Sequence, residues 1–280
     1  MESHFVDSFN LSNACVALVE ENENINVSSL AKIPISSVSP IHGIPFDIFV
    51  CDEGGRCKFL CLSDSMLSDD EISELKQGRV DIFIRKEELP SFSSYMKESL
   101  KTISDEDVDI NEKSQIVYSA AALSMSELFN NAESKAMIED SKTLASIMLE
   151  DLMKDDAVFL SMLEVLSHDY YTYSHCVNVS IYSITIGKKL GLTDNEMEDL
   201  ASGSILHDIG KARIDLKILN KQGKLTDDEF EIMKTHPNEG VLILEGLGEK
   251  NQNILDSVNF HHEKIDGSGY PKKLKDEKIP

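Results

Sequence analysis

The stretch SILHDIGKARI, residues 204–214, ends an apolar helical run with three ionisable side chains, His207, Asp208 and Lys211. Neighbouring residues stand about 100° apart around a helix, so His207 and Asp208 can both reach one pocket. Lys211 stays on the same side while the turn continues. The imidazole suits a metal, and the carboxylate can bridge to a second one. Such a triplet in an apolar helix end costs stability unless metal or substrate compensates it. The helix starts after Thr193, which has capping-box spacing to Glu196, and Thr226 with Glu229 marks another start. Gly191, Gly210 and Gly223 punctuate helix ends or loops. From about residue 113 strand signals vanish, and Ile116, Ala120, Leu123 and Leu128 open a long apolar series at helical spacing. This half of the chain is expected to be all-α.

Six of the eight histidines lie between His168 and His262. The pair His168-Asp169 reads as incidental. His175, in YTYSHCVNVSIYSI, precedes an amphipathic stretch in which Val177, Ile181, Ile184 and Leu190 would face the core. His236 stands before Pro237, at a break or a new helix start. His261-His262-Glu263 follows the apolar helix ILDSVNF, where two exposed imidazoles are costly to explain as packing. Immediately afterwards Asp266-Gly267-Ser268-Gly269-Tyr270-Pro271 forms a turn whose glycines would let backbone approach a ligand, a wall of the same pocket.

In this order the elements resemble the HD-GYP family of cyclic di-GMP phosphodiesterases, over residues from about 167 to 280. The resemblance runs through Asp169-x-Tyr171-Thr172-x-x-His175, Leu206-His207-Asp208-Ile209-Gly210-Lys211, Ile218-Leu219-Asn220-Lys221, Gly223-Lys224-Leu225-Thr226, His236, His261-His262-Glu263 and Asp266-Gly267-x-Gly269-Tyr270-Pro271. It implies that His175, His207, Asp208, His236, His261 and His262 are metal ligands. Asp208 and Lys211 would be the catalytic residues, Lys211 contacting the scissile phosphate, while Asp266, Gly267, Gly269, Tyr270 and Pro271 would shape the nucleotide pocket. Two divalent metals are implied, iron or manganese rather than zinc, which agrees with mixed imidazole and carboxylate donors. Tyr171 stands where some members place a glutamate supporting a third metal. Members also continue past Ile-Pro into a helix with a final metal-binding aspartate and basic residues, so the sequence ending at Pro280 reads as C-terminally short.

The remainder of the chain bounds these expectations. Fifty acidic against 27 basic residues give a net charge of −23, which disfavours nucleic-acid polymers and anionic membranes as partners. Any phosphate substrate must then be attracted locally. MESHFVDSFN lacks the basic and apolar regions of a secretory signal, and no apolar run reaches membrane-spanning length. Five cysteines without a CxxC pair fit a reducing, cytoplasmic setting, with Cys51, Cys57 and Cys61 read as packed thiols on strands. FDIFVCD (46–52) and CKFLCLS (57–63) read as a hairpin around Glu53-Gly54-Gly55-Arg56, followed by a helix capped by Ser68 with Glu71 and a strand at VDIFIR (80–85).

The expected fold class is therefore α+β, a small N-terminal α/β module followed by an all-α HD-type helical bundle. The expected organisation is an N-terminal segment (1–27), a sensory or interaction module (28–100), a linker or solvated helix start (101–115) and the helical phosphohydrolase domain (116–280). The module could receive a signal or protein partner, and a homodimer is left open. Three other readings compete with cyclic di-GMP hydrolysis: another HD-type nucleotide phosphohydrolase, a catalytically incomplete dinucleotide sensor or interaction module, and a purely structural helical domain. The DGSGYP turn speaks against the first, and the ordered His/Asp/Lys set against the last.

Overall fold

The computed structural model describes residues 27–33, 35–38, 43–51, 57–78, 80–103, 110–154, 158–159, 162 and 172–280. The fold is α+β, and the chain divides into two compact units, residues 1–120 and 121–280. His168, Asp169 and Tyr171, the turn Glu53-Gly54-Gly55-Arg56 and nearly all of the N-terminal segment lie outside the described residues.

The first unit holds an antiparallel sheet of β1 (Leu30–Ile33), β2 (Ile48–Cys51), β3 (Cys57–Cys61) and β4 (Ile82–Arg85), in the order β1-β4-β2-β3. The β2 and β3 runs pair as expected from their alternating apolar residues, and β4 inserts between β1 and β2. Ile48, Phe49, Ile82 and Ile84 are buried together with Ile72 and Leu75 of α1 (Asp69–Gln77) and Phe92 and Met96 of α2 (Leu89–Ile103). Helix α1 opens on the expected capping box. The Ser68 amide and hydroxyl donate to Glu71 Oε2 at 2.9 and 2.8 Å, and the Glu71 amide donates back to Ser68 Oγ at 3.3 Å.

The cysteine reading needs correction. Cys51 and Cys57 form a disulfide, and only Cys61 of the three is a buried thiol outside it. Alternation along one strand says which face a side chain takes, but pairing across strands decides its neighbour, and the β2–β3 register sets Cys51 directly opposite Cys57. Of the segment 101–115, residues 101–103 close α2 and 110–115 open α3 (Ile110–Asn130).

The second unit is helical. It contains α4 (Lys135–Lys154), α5 (Thr172–Leu190), α6 (Asp194–Leu206), a 3-10 turn at Ile209–Arg213, α7 (Leu216–Leu219), α8 (Asp227–Met233), α9 (His236–Gly246) and α10 (Gln252–Phe260). Helix α6 is central, packing on α4, α5 and α10, while α9 lies against α10 and the 3-10 turn. Val177, Ile181, Ile184, Ala201, Ile205 and Val258 are fully or almost fully buried between these helices. Two expectations shift. His175 lies inside α5 rather than before it, and Leu190, the last residue of that helix, is 73% exposed instead of facing the core. Gly191 follows with a φ of 71°, ending the helix before Leu190 can reach a packing partner. Among the described residues no helix is long and apolar enough to cross a membrane.

Candidate metal centre

Four helix ends deliver the histidines. His207 caps the C-terminus of α6, His236 begins α9 after the end of α8, His261 caps α10, and His175 sits in the first turns of α5. Three of them share one device. The Nδ1 of His207, His236 and His261 lies 2.7, 2.7 and 2.8 Å from the carbonyls of Ser204, Met233 and Val258, each three residues earlier. A carbonyl can only accept, so Nδ1 carries the proton and, in the neutral ring, Nε2 is a bare lone pair. The backbone of the last helical turn thereby aims each imidazole and fixes its tautomer.

The bare nitrogens converge on Asp208, whose side chain is 1% exposed. Oδ1 is 3.2 Å from His236 Nε2 and 3.6 Å from His261 Nε2, and these two nitrogens are 3.1 Å apart. Oδ2 is 3.3 Å from His207 Nε2, 3.9 Å from His175 Nε2 and 2.5 Å from the Lys211 ammonium, which donates to it. Buried Oδ1 receives no hydrogen bond. Three lone-pair atoms facing one another without a donor repel unless a cation joins them. Two donors each about 2.1 Å from one cation stand about 3.0–3.4 Å apart at octahedral to tetrahedral angles, a range that the 3.1, 3.2 and 3.3 Å spacings meet and that the 3.6 Å of His261 and 3.9 Å of His175 exceed. Two donor groups share Asp208: one with His236, His261 and His262, the other with His175 and His207.

Charge states agree with ligation. Burial brings His261 and His175 below the ordinary imidazole value, with neighbouring imidazoles acting in the same direction. His262 falls to about 3 through burial and then the nearness of His261 and His236. Burial would push Asp208 toward its neutral form, but any of His207, His236 or His261 that takes a proton at Nε2 donates it to this carboxylate, which keeps the carboxyl well below the usual range. His175, His261 and His262 are thus biased toward the neutral form beside an ionised carboxylate, the protonation states that metals require.

Backbone contacts bring the pieces together. A Cβ on Gly210 would stand 1.9 Å from the His236 carbonyl oxygen and 2.5 Å from the Gly240 nitrogen. Gly210 is therefore the seat on which α9 rests, and this close approach sets His236 beside Asp208. Arg213 braces the same turn, donating to Glu239 at 2.9 Å and Glu133 at 3.0 Å. The sequence reading took Gly210 for punctuation and passed over Gly240. Its signal was a glycine inside a helical pattern, where it costs about 1 kcal/mol relative to alanine unless close packing needs it.

The residues expected to shape a nucleotide pocket divide. Tyr270 stacks on His262 at 4.5 Å and 22°, and its hydroxyl is pushed up to about 12 by burial and then by the Asp208 charge. Asp266 is exposed and spends Oδ1 on the amide and hydroxyl of Ser268, at 2.8 and 2.7 Å, which fixes its own turn. Gly269 makes its close approach to Glu263 and Lys264 of the same chain. Gly267 and Pro271 belong to that turn, and none of these five residues lines the cavity that opens beside the histidines. Glu263 accepts from the amides of Lys272 and Leu274 at 2.6 and 2.8 Å, so it holds the turn against the helix end. The cavity, of about 690 Å³, lies along the faces of α5, α6 and α10 that carry His175, His207 and His261, and runs past Val179, Leu200 and Ser257. His261 and His262 are half-buried rather than exposed.

Known proteins resemble this chain in sequence and in fold. Residues 137–280, more than half of the chain, match the family model described as HD domain. A cyclic di-GMP phosphodiesterase of Pseudomonas aeruginosa is 37% identical over 128 residues, which are 46% of this chain and 31% of that protein. A 3'3'-cGAMP-specific phosphodiesterase of Vibrio cholerae is 37% identical over 110 residues, 39% of this chain and 21% of that protein. The chain thus spans less than a third of the length of either relative. The solved structure of an HDG"Y"P protein from Bdellovibrio bacteriovorus superposes with a TM-score of 0.66 at 22% identity, covering 90% of this chain and 83% of that one, a likeness of fold.

Proposed function

This chain belongs to the HD domain family, and from that premise we propose that its C-terminal unit is a metal-dependent phosphodiesterase that opens a cyclic dinucleotide, cyclic di-GMP above others. The observation that carries the reading is Asp208, whose two oxygens face separate imidazole groups while Oδ1 lacks any hydrogen-bond donor. His236, His261 and His262 with Oδ1, and His175 and His207 with Oδ2, would hold two divalent ions, and nitrogen and oxygen donors favour iron or manganese. When bound, such ions supply Lewis acidity and a water acidic enough to lose its proton near neutral pH.

The protein's own groups do the rest. Lys211 offsets charge on a non-bridging phosphate oxygen as the transition state builds it up. Tyr270 keeps its proton at neutral pH and can donate it in a hydrogen bond to a ligand oxygen beside His262. The turn from Asp266 to Pro271 supports Tyr270 and flanks the centre. With a net charge of −23 over the whole chain, the positive charge that Lys211 and bound divalent ions would gather here is what draws in an anionic substrate. The N-terminal sheet unit supplies no comparable cluster among its described residues and suits a sensory or interaction role. The Vibrio cholerae relative favours a second substrate reading, 3'3'-cGAMP.

The deciding experiment incubates the manganese- or iron-loaded chain separately with cyclic di-GMP and 3'3'-cGAMP, separates the products by chromatography and measures bound metal. Linear dinucleotide or mononucleotide is expected, with cyclic di-GMP consumed faster. Asp208→Ala should reduce both metal content and turnover to background. Unchanged hydrolysis in that variant would overturn the assignment. Nucleotide binding without turnover in the loaded parent would point instead to a sensor.

A further inference from the structure

The two oxygens of Asp208 keep different company. Oδ1 faces His236 and His261 and receives no hydrogen bond, whereas Oδ2 faces His207 and His175 and accepts from Lys211 at 2.5 Å. Enclosure differs too: the His236 side chain is 1% exposed and the His175 side chain 55%. The Oδ1 group offers three imidazoles, the Oδ2 group two.

We infer that the two metal positions flanking Asp208 have unequal affinity, and that Lys211 sets the difference by holding the oxygen that the second cation needs. This rests on the metal-dependent reading above and extends it to the order of filling. On the Oδ1 side a cation meets three imidazoles, two of them, His236 and His261, aimed by backbone carbonyls, and an oxygen with no competing donor. On the Oδ2 side it must displace a charge-assisted hydrogen bond and sit close to an ammonium of like sign, where the low local dielectric strengthens the repulsion. The Oδ1 position therefore fills first. Filling the Oδ2 position drives the Lys211 ammonium off the carboxylate. Its next partner is then an anion on the open side of the centre, such as a phosphate oxygen. Lys211 thus couples loading of the second metal to phosphate binding: each favours the other, because both draw on the same freed side chain.

Manganese(II) titration of the chelator-stripped full chain tests this, with free manganese counted by electron paramagnetic resonance and heats by calorimetry. Two unequal sites are expected. Lys211→Met should tighten the weaker site by about tenfold or more, the value of a charge-assisted hydrogen bond relieved, and leave the tighter site within about twofold. Lys211→Arg should restore the weak second site, and a thermal melt of each variant confirms that it folds. In the parent, inorganic phosphate should tighten the second site, an effect absent in Lys211→Met. Two sites that Lys211→Met leaves unchanged, or a second site that weakens in it, would overturn this inference while sparing the metal-dependent reading. No bound manganese in any form would overturn both.

Discussion

Two buried carboxylates, Glu71 in the sheet unit and Asp208 in the helical unit, show how one chain uses the same group for opposite ends. Glu71 is 7% exposed, and its Oε2 is met by the amide and hydroxyl of Ser68 three residues away. Asp208 is 1% exposed, yet Oδ1 is met by two nitrogens that have no proton to give, delivered from residues 28 and 53 positions further along the chain. Glu71 accepts from its own turn and builds a helix start. Asp208 is left unsatisfied by a fold that spends four helix ends on surrounding it, and that surplus of acceptors is what makes a metal site.

The contrast is broken most severely at Gly210. Alanine there would place a carbon inside the His236 carbonyl, forcing α9 away from the turn that carries Asp208. A loss of about 3 kcal/mol is expected for such overpacking, seen as a melting temperature lower by roughly 6–12 °C. Manganese binding should fall with it, since His236 and Asp208 would no longer share a cation. A Gly210→Ala protein that melts normally and binds two ions would show that the close approach does not assemble the centre.

Acid separates the two regions more gently. All histidines among the described residues lie in the helical unit. His262, His261 and His175 have folded values below the ordinary 6.5, so between the folded and unfolded values the unfolded chain binds more protons. Their contribution to stability is present above pH 6.5 and is lost as pH falls, levelling off for His262 near pH 3. Between pH 6.5 and 5, above the ordinary carboxylate value of 4.5, the chelator-stripped protein should lose thermal stability. Hydrogen exchange, corrected for intrinsic rate, should speed up in α6 and α10 and not in β2. Manganese should hold on to lower pH than a site of free imidazoles would allow, because the rings resist protonation. Equal acid sensitivity in both units would erase the distinction.

How much of this could be read from the sequence follows from the range of each interaction. Capping at Ser68, Thr193 and Thr226 spans three residues and was legible, as were the β2–β3 hairpin and the helical phase around Val177, Ile181 and Ile184. Asp208 and the histidines stood out because ionisable groups in apolar helix ends are costly, and the family resemblance ordered them. What escaped depended on contacts between distant segments. Cys51 meets Cys57 only through strand register, and Gly210 meets His236 and Gly240 only once α9 docks. At Asp266 the motif did not announce the local bond by which a short side chain in a tight turn accepts from nearby backbone, here at Ser268.

The smallest effect sharpens the comparison best, because it asks whether a buried carboxylate matters to the site merely by being buried. Glu71→Ala removes the acceptor for the Ser68 amide and hydroxyl and half of the capping box, while Ser68 Oγ can still receive the residue 71 amide. A cost of about 1 kcal/mol is expected, with metal stoichiometry and turnover unchanged. Glu71→Gln should cost less still, since glutamine keeps an acceptor oxygen at the same reach and serves in capping boxes. The order parent, Gln, Ala in melting temperature, with constant manganese content, is the signature of a carboxylate that stabilises a helix start and takes no part in metal binding. A fall in manganese content in either variant would mean that the sheet unit and the metal centre are energetically joined, and that Glu71 and Asp208 differ in degree rather than in kind.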